Sequence, residues 1–319
     1  MKKMSIVGYF ILSFFALFLL SFTTYHVFKY STIFFIFFLV LLIFLVLSLV
    51  KVFINDQVVN KLSNLIKKDN LKEFVAVFLG AIITYLIVLY FKISCVLASS
   101  LVGLVGAIIF KRYQAAIFCG SFVGMTSPEV LSILPFVSAS LLASLIFILS
   151  KDVFNGYGGK LGTIAFSGSL IIAYIFQMNF LNGQIYDNKQ KLIIIIASII
   201  ASLLTYFLNA RMKLGPVLAS SIIGLIGSLL FLNIYYSLGP TLATVIFGSS
   251  FVGMTSRNKF SSEGFILLAG TLFGLIFIYN STYFGGVGGR LGATAFVSVL
   301  VIDGLIFLIR KIYKIKRYV

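Results

Sequence analysis

Apolar runs of membrane-crossing length follow one another along nearly the whole chain, separated by short clusters of Gly, Pro, Ser, Asn and Lys. The run "IFFIFFLVLLIFLVLSLV" is continuous, which predicts a helix and excludes the two-residue alternation of a membrane barrel. About 18–20 such residues cross the hydrocarbon core. Two runs lie within residues 1–54, and ten more fall near 73–91, 93–110, 114–127, 132–150, 159–179, 191–210, 215–235, 240–256, 263–280 and 290–309. The predicted fold class is an all-α polytopic membrane protein of about 12 transmembrane segments. The opening "MKKMSIVGYFILSFFALFLLSF" reads as a retained first span, because its apolar run exceeds a signal-peptide core and no small-residue cleavage site follows.

The ten later segments form two copies of five. "VLASSLVGLVGAIIF" (Val96–Phe110) matches "VLASSIIGLIGSLLF" (Val217–Phe231), and "IFCGSFVGMTS" (Ile117–Ser127) matches "IFGSSFVGMTS" (Ile246–Ser256). "FNGYGGKLGTIAF" (Phe154–Phe166) matches "FGGVGGRLGATAF" (Phe284–Phe296). Three blocks in the same order indicate duplication. The organisation is two N-terminal helices (1–54), a polar linker (55–71, cytoplasmic), repeat one (72–180), repeat two (190–312) and a basic cytoplasmic tail (313–319). Five segments per copy is an odd number, so the second copy enters the membrane from the opposite side, an inverted 5+5 repeat with broken or re-entrant helices. Loop charges agree. With the N-terminus inside, Lys61, Lys67, Lys111, Arg112, Lys151, Arg211, Lys213, Arg257 and the tail all face the cytoplasm, as expected for positive-inside sorting. Both termini are then cytoplasmic, and the expected location is a cell membrane, a bacterial inner membrane.

Three features of the repeats bear on chemistry. Ser99, Gly103 and Gly106, matched by Ser220, Gly224 and Gly227, form a small-residue stripe suited to close helix packing. "FVGMTS" ends a segment too short for a full span. Thr126 and Ser127 have N-cap chemistry and Pro128 suits a first helical position, so the stretch predicts a helix end, a break and a new helix start. At such a break, Ser121, Phe122, Thr126 and Ser127, with Ser250, Phe251, Thr255 and Ser256, are expected to face a solute. "GYGGKLG" and "GVGGRLG" place Lys160 and Arg290 in glycine-rich entries to helices, where unpaired N–H groups and the helix dipole favour an anion and repel cations. Asp303 is the one carboxylate well inside an apolar run, and its counterpart is Ala173. Intramembrane acids are costly and usually functional, so it is a candidate for coupling to H⁺ or Na⁺, with pairing to Arg290 or Arg310, or capping of a kink at Gly304, as alternatives.

Composition narrows the classes further. Hydrophobic residues make up 61% of the chain and charged residues 10%, with a mean hydropathy of +1.13. The net charge of +17 is explained by cytoplasmic loops and anionic lipid headgroups, without nucleic acid as a partner. Cys95 and Cys119 lack metal-ligand spacing, and no HExxH, GxSxG or triad pattern is present, so no catalytic residue, metal or cofactor is expected. The expected function is an integral membrane transporter or channel for a small neutral or anionic solute, with its pathway between the repeats near FVGMTS and GG[KR]LG. The alternative is a non-transport membrane protein that handles lipid or scaffolds a membrane complex. Membrane lipids, the solute and further copies of the chain, as a homo-oligomer, are the expected partners.

Overall fold

The computed structural model of the chain describes residues 3–55, 57–59, 68–234 and 238–316. Most of the linker expected at 55–71 and the end of the tail at 317–319 therefore lie outside the described residues. Twelve helices are present among them: α1 (Ile6–Phe28), α2 (Thr32–Asn55), α3 (Lys68–Phe91), α4 (Cys95–Ile109), α5 (Gln114–Gly124), α6 (Ile133–Ser150), α7 (Lys160–Ile175), α8 (Asn188–Tyr206), α9 (Pro216–Ile234), α10 (Gly239–Gly253), α11 (Glu263–Asn280) and α12 (Arg290–Lys316). A π-turn, Phe207–Arg211, continues α8. A three-residue parallel pair, β1 (Lys3–Ser5) with β2 (Gln57–Val59), joins the chain start to the end of α2. Seven helices are long and apolar enough to cross a membrane, and five others are shorter.

Local chemistry sets the helix starts. The Ser94 hydroxyl accepts from Leu97 N–H at the start of α4. Asp187 and Gln190 form a capping box on α8, and Ser262 caps α11. Each satisfies a donor that a helix end leaves unpaired, typically worth about 1 kcal/mol. The break after α5 differs from expectation. α5 ends at Gly124, inside the hexapeptide where a helix end is expected, but Thr126 and Ser127 do not start the next helix. Residues 128–130 form a turn with Val130 and Leu131 N–H bonded to Ser127 O, and α6 begins at Ile133 after Ser132. The reason is tertiary: Ser127 N–H and the Thr126 hydroxyl are taken by a distant loop.

The packing follows the sequence repeat. In repeat one, α3 lies against α5 and α6; in repeat two, α8 lies against α10 and α11. The copies meet at α4 with α9 and at α7 with α12. At the first meeting, Gly103 faces Ser221 and Gly224 faces Ser100. Those contacts require the two helices to run antiparallel. Gly103 and Gly224 thus leave room at this crossing for the Ser221 and Ser100 side chains, while Gly106 and Gly227 lie against Ile117 of α5 and Ile246 of α10. Backbone strain is matched as well. Lys92 and Lys213 have φ of 52° and 58°, and Phe154 and Phe284 have 50° and 55°. Such values are uncommon outside glycine, and they recur at corresponding positions. The N-terminal helices sit to one side: α2 lies along α12, while α1 crosses α6, α7, α11 and α12.

Candidate functional site

The two repeated motifs grip each other across the repeats. Ser127 N–H donates to Gly286 O (2.8 Å), and Ser256 N–H donates to Gly156 O (2.9 Å). Gly288 N–H donates to Thr126 Oγ1 (3.0 Å), and Gly158 N–H donates to Thr255 Oγ1 (3.2 Å). Each threonine hydroxyl passes its own proton to a helix carbonyl, Val123 O or Val252 O, at 2.7 Å. The FVGMTS segment of one copy therefore holds the GG[KR]LG loop of the other. A hexapeptide written twice is explained by a reciprocal clasp, in which buried loop N–H groups need these hydroxyls as acceptors.

The clasp brings two helix starts together. A Cβ added to Gly162 would lie 2.4 Å from Gly292 Cα, and one added to Gly292 would lie 2.4 Å from Gly162 Cα. Gly159 abuts Phe296 N, and Gly289 abuts Phe166 N. α7 and α12 thus overlap by their first two turns, antiparallel, and diverge from a shared centre. Lys160 and Arg290 open these helices, two residues before the crossing glycines, or about 3 Å along each axis. Both cations reach back to the preceding helix end. Lys160 Nζ donates to Lys151 O (3.0 Å) and Asn155 Oδ1 (3.1 Å). Arg290 Nη1 donates to Ser281 O (3.2 Å), Asn280 O and Tyr283 O. They satisfy carbonyls at the negative ends of α6 and α11 while lying beside the positive ends of α7 and α12.

Two cavities flank this centre. The first, about 280 Å³, is lined by the Gly156–Gly162 loop with Ala115, Pro216 and Met254. The second, about 110 Å³, is lined by the Gly286–Gly292 loop with Thr244, Cys95 and Met125. These linings correspond position by position in the repeat: Ala115 with Thr244, Pro216 with Cys95, Met254 with Met125. Glu73, near the start of α3, lines the first cavity, and Cys95, just past the end of α3, lines the second, so the two lie toward opposite ends of that helix. Phe122 and Phe251 line both. Their rings are 4.7 Å apart, and Phe118 and Phe247 close around them at 4.4 Å and 4.8 Å. This aromatic partition separates the cavities. A further apolar groove, about 400 Å³, lies between α3, α4 and α5; Val102, Val105, Gly106 and Ile117 line it, and no residue of FVGMTS or GG[KR]LG does.

The remaining candidates divide. Ser121 and Ser250 are fully buried; their hydroxyls pair with Ser99 (2.8 Å) and Ser220 (2.7 Å), on the packing stripe. They sit beside the partition, with their hydroxyls bonded to neighbouring helices. Asp303, 2% exposed, does not meet Arg290 or Arg310. Its carboxylate takes Lys51 Nζ on Oδ1 (2.7 Å), with Ser48 Oγ (2.9 Å) and Tyr157 OH (3.0 Å) donating to Oδ2. Phe118 and Phe247 are site residues not singled out from the sequence, although both fall inside the repeated "IF" of the second block. Tyr157 and Lys51 carried no comparable signal, since Tyr157 breaks the repeat (Val287 is its counterpart) and Lys51 lies outside it.

Seven membrane-length helices and buried polar motifs shared between two halves are the features of a multi-pass helical membrane protein. No protein-family model, characterised protein or solved structure matches the chain.

Proposed function

We propose that the chain is a membrane transporter or channel for a small neutral or anionic solute, formed by two inverted repeats. The observation that carries this reading is the pair of cavities with matching linings, one toward each end of α3, meeting at Phe122 and Phe251. A pathway with alternating or continuous access needs two such openings and a constriction between them. Inversion is supported by five helices per copy and by antiparallel contact between corresponding helices, α4 with α9 and α7 with α12. Helix N-termini meeting at the centre is the arrangement by which broken helices present positive ends to solutes. Lys160 and Arg290 strengthen that field; Glu73 in the first lining is paired with Lys151 and the second lining has no acid among the described residues, so cations are disfavoured. The basic loops support an orientation with both termini in the cytoplasm, in a bacterial inner membrane with anionic lipid at that face. The exposed flank of α4 and α9, which includes Val105, Ile109, Ile226 and Leu230, is left for lipid or a second copy.

The groove between α3, α4 and α5 favours a second reading, lipid handling, because it is apolar throughout and ends at Lys72. Reconstitution into liposomes separates the two. Formate, nitrate and urea serve as flux probes, and a fluorescent phospholipid reports scrambling. The transport reading expects flux of at least one probe above protein-free liposomes. It also expects Arg290→Glu to lower anion flux at least tenfold, since reversing a charge at about 4 Å is worth several kcal/mol at protein-like screening. Scrambling without flux of any probe establishes the lipid reading instead.

A further inference from the structure

The N-terminal hairpin lies outside the repeat, yet it touches the strained loop of the first cavity in two ways. The first contact is polar. Asp303 on α12 is held by Lys51 and Ser48 of α2 and by Tyr157 of the cavity loop. The second is aromatic. Tyr9 of α1 stacks on Phe154 at 5.5 Å, and its hydroxyl donates to Leu49 O of α2 (2.9 Å). Phe154 is the residue with positive φ, and it packs in turn on Tyr157 and Phe296. On its far side, Tyr157 carries Lys259 Nζ over its ring at 4.3 Å. Gly304, next to Asp303, lies so close to Phe44 O that α2 and α12 are in backbone contact there.

The second cavity's loop lacks the polar arm. Val287 replaces Tyr157, and Ala173 replaces Asp303. Among the described residues, α1 reaches this loop through ring contacts, with Phe18 and Phe22 on Phe284 and His26 stacked on Tyr283 at 3.8 Å. Leu181 N–H adds a backbone bond to Gly285 O (3.0 Å). Both loops share the clasp to the other repeat, but their links to the N-terminal hairpin differ: the first adds a carboxylate held jointly with α2, and the second meets α1 by packing. Lys51, 20% exposed, gives the buried Asp303 charge a partner of its own, and removing one member of such a pair leaves the other uncompensated.

We propose that the N-terminal hairpin is a control element of the first cavity, acting through Lys51, Asp303 and Tyr157 as a latch that holds the cavity's loop wall closed against the bundle. Asp303 and Tyr157 are positioning residues, and solute contact is left to the loop. The proposal rests on the reading of the first cavity as one half of a pathway, and its test is independent of flux. In a chain with Cys95→Ala and Cys119→Ala, a single reporter, Ala115→Cys in the first cavity or Thr244→Cys in the second, is modified by a membrane-impermeant thiol reagent. Tyr157→Phe keeps the ring and removes the hydroxyl that donates to Asp303. It is expected to raise the modification rate at Ala115→Cys about tenfold or more, the factor carried by one hydrogen bond to a charged group, and to leave Thr244→Cys unchanged. Asp303→Asn is expected to raise the same reporter's rate, and the double variant to add little to the larger single effect, because both cut one link. An unchanged Ala115→Cys rate in monodisperse Tyr157→Phe protein overturns the latch. So does an equal rise at both reporters, which signals general loosening. A protein that responds as expected but passes no solute keeps the latch and loses the transport reading.

Discussion

Gly162→Val and Gly292→Val are each expected to abolish assembly of the folded protein. The contact they break is backbone against backbone: a Cβ on either glycine falls 2.4 Å from the Cα of the other and 3.0 Å from its N. No side chain can rotate away, so α7 and α12 must part. Parting them also pulls the loops from Thr126 and Thr255, leaving the N–H groups of Gly288 and Gly158 unpaired. An unpaired buried donor costs about 1–3 kcal/mol each, on top of lost packing, and the sum exceeds the 4–5 kcal/mol that few single substitutions reach. Gly264→Ala is the control, because its Cβ would meet only Ser262 Oγ at an ordinary 3.5 Å. Recovery of monodisperse protein in mild detergent, followed by thermal unfolding, reads the difference. Normal yield and melting of Gly162→Val would show that the helices do not meet there.

Phe122→Ala and Phe251→Ala are expected to raise solute flux more than tenfold and to weaken discrimination between formate and larger anions. Each ring is 2% exposed and lines both cavities, so each is a shared wall whose removal joins them. Truncating a buried phenylalanine costs about 3–5 kcal/mol, and the melting temperature falls accordingly. Flux is therefore measured in liposomes on protein that remains monodisperse at the assay temperature. Phe→Leu at the same positions keeps most of the volume and is expected to give an intermediate flux. Unaltered flux in the alanine variants places the pathway elsewhere.

The helices and the duplication were legible in the sequence for physical reasons. An apolar run long enough to cross a bilayer admits few other readings, and identical hexapeptides in apolar context signal a shared structural demand. Among the described residues, twelve helices fall near the expected apolar runs with ends shifted by a few residues, as at α4, expected at 93–110 and found at Cys95–Ile109. Partners were not legible. Thr126 meets Gly288 across 162 residues, and Asp303 meets Lys51 across 252. A hydroxyl followed by proline has N-cap chemistry wherever it occurs, so the Thr126–Ser127 pair read as a helix start. Only the fold shows that a loop from the other repeat claims those groups first. Lys160 and Arg290 were marked by their glycine setting, but their hold on the carbonyls ending α6 and α11 depends on how deeply the loops fold back. Asp303 drew notice as a lone acid in an apolar run. That pattern says a partner is needed and does not say which one.

In the inverted-repeat reading, the chain encloses two corresponding cavities reached from opposite sides of a membrane. Single cysteines at Ala115 and Thr244, matched positions in the two linings, test it most directly. In cells and in inside-out vesicles, an impermeant thiol reagent is expected to modify Ala115→Cys only from the cytoplasmic side and Thr244→Cys only from the outside. Modification of both from the same side, or of neither in folded protein, contradicts the inverted-repeat pathway.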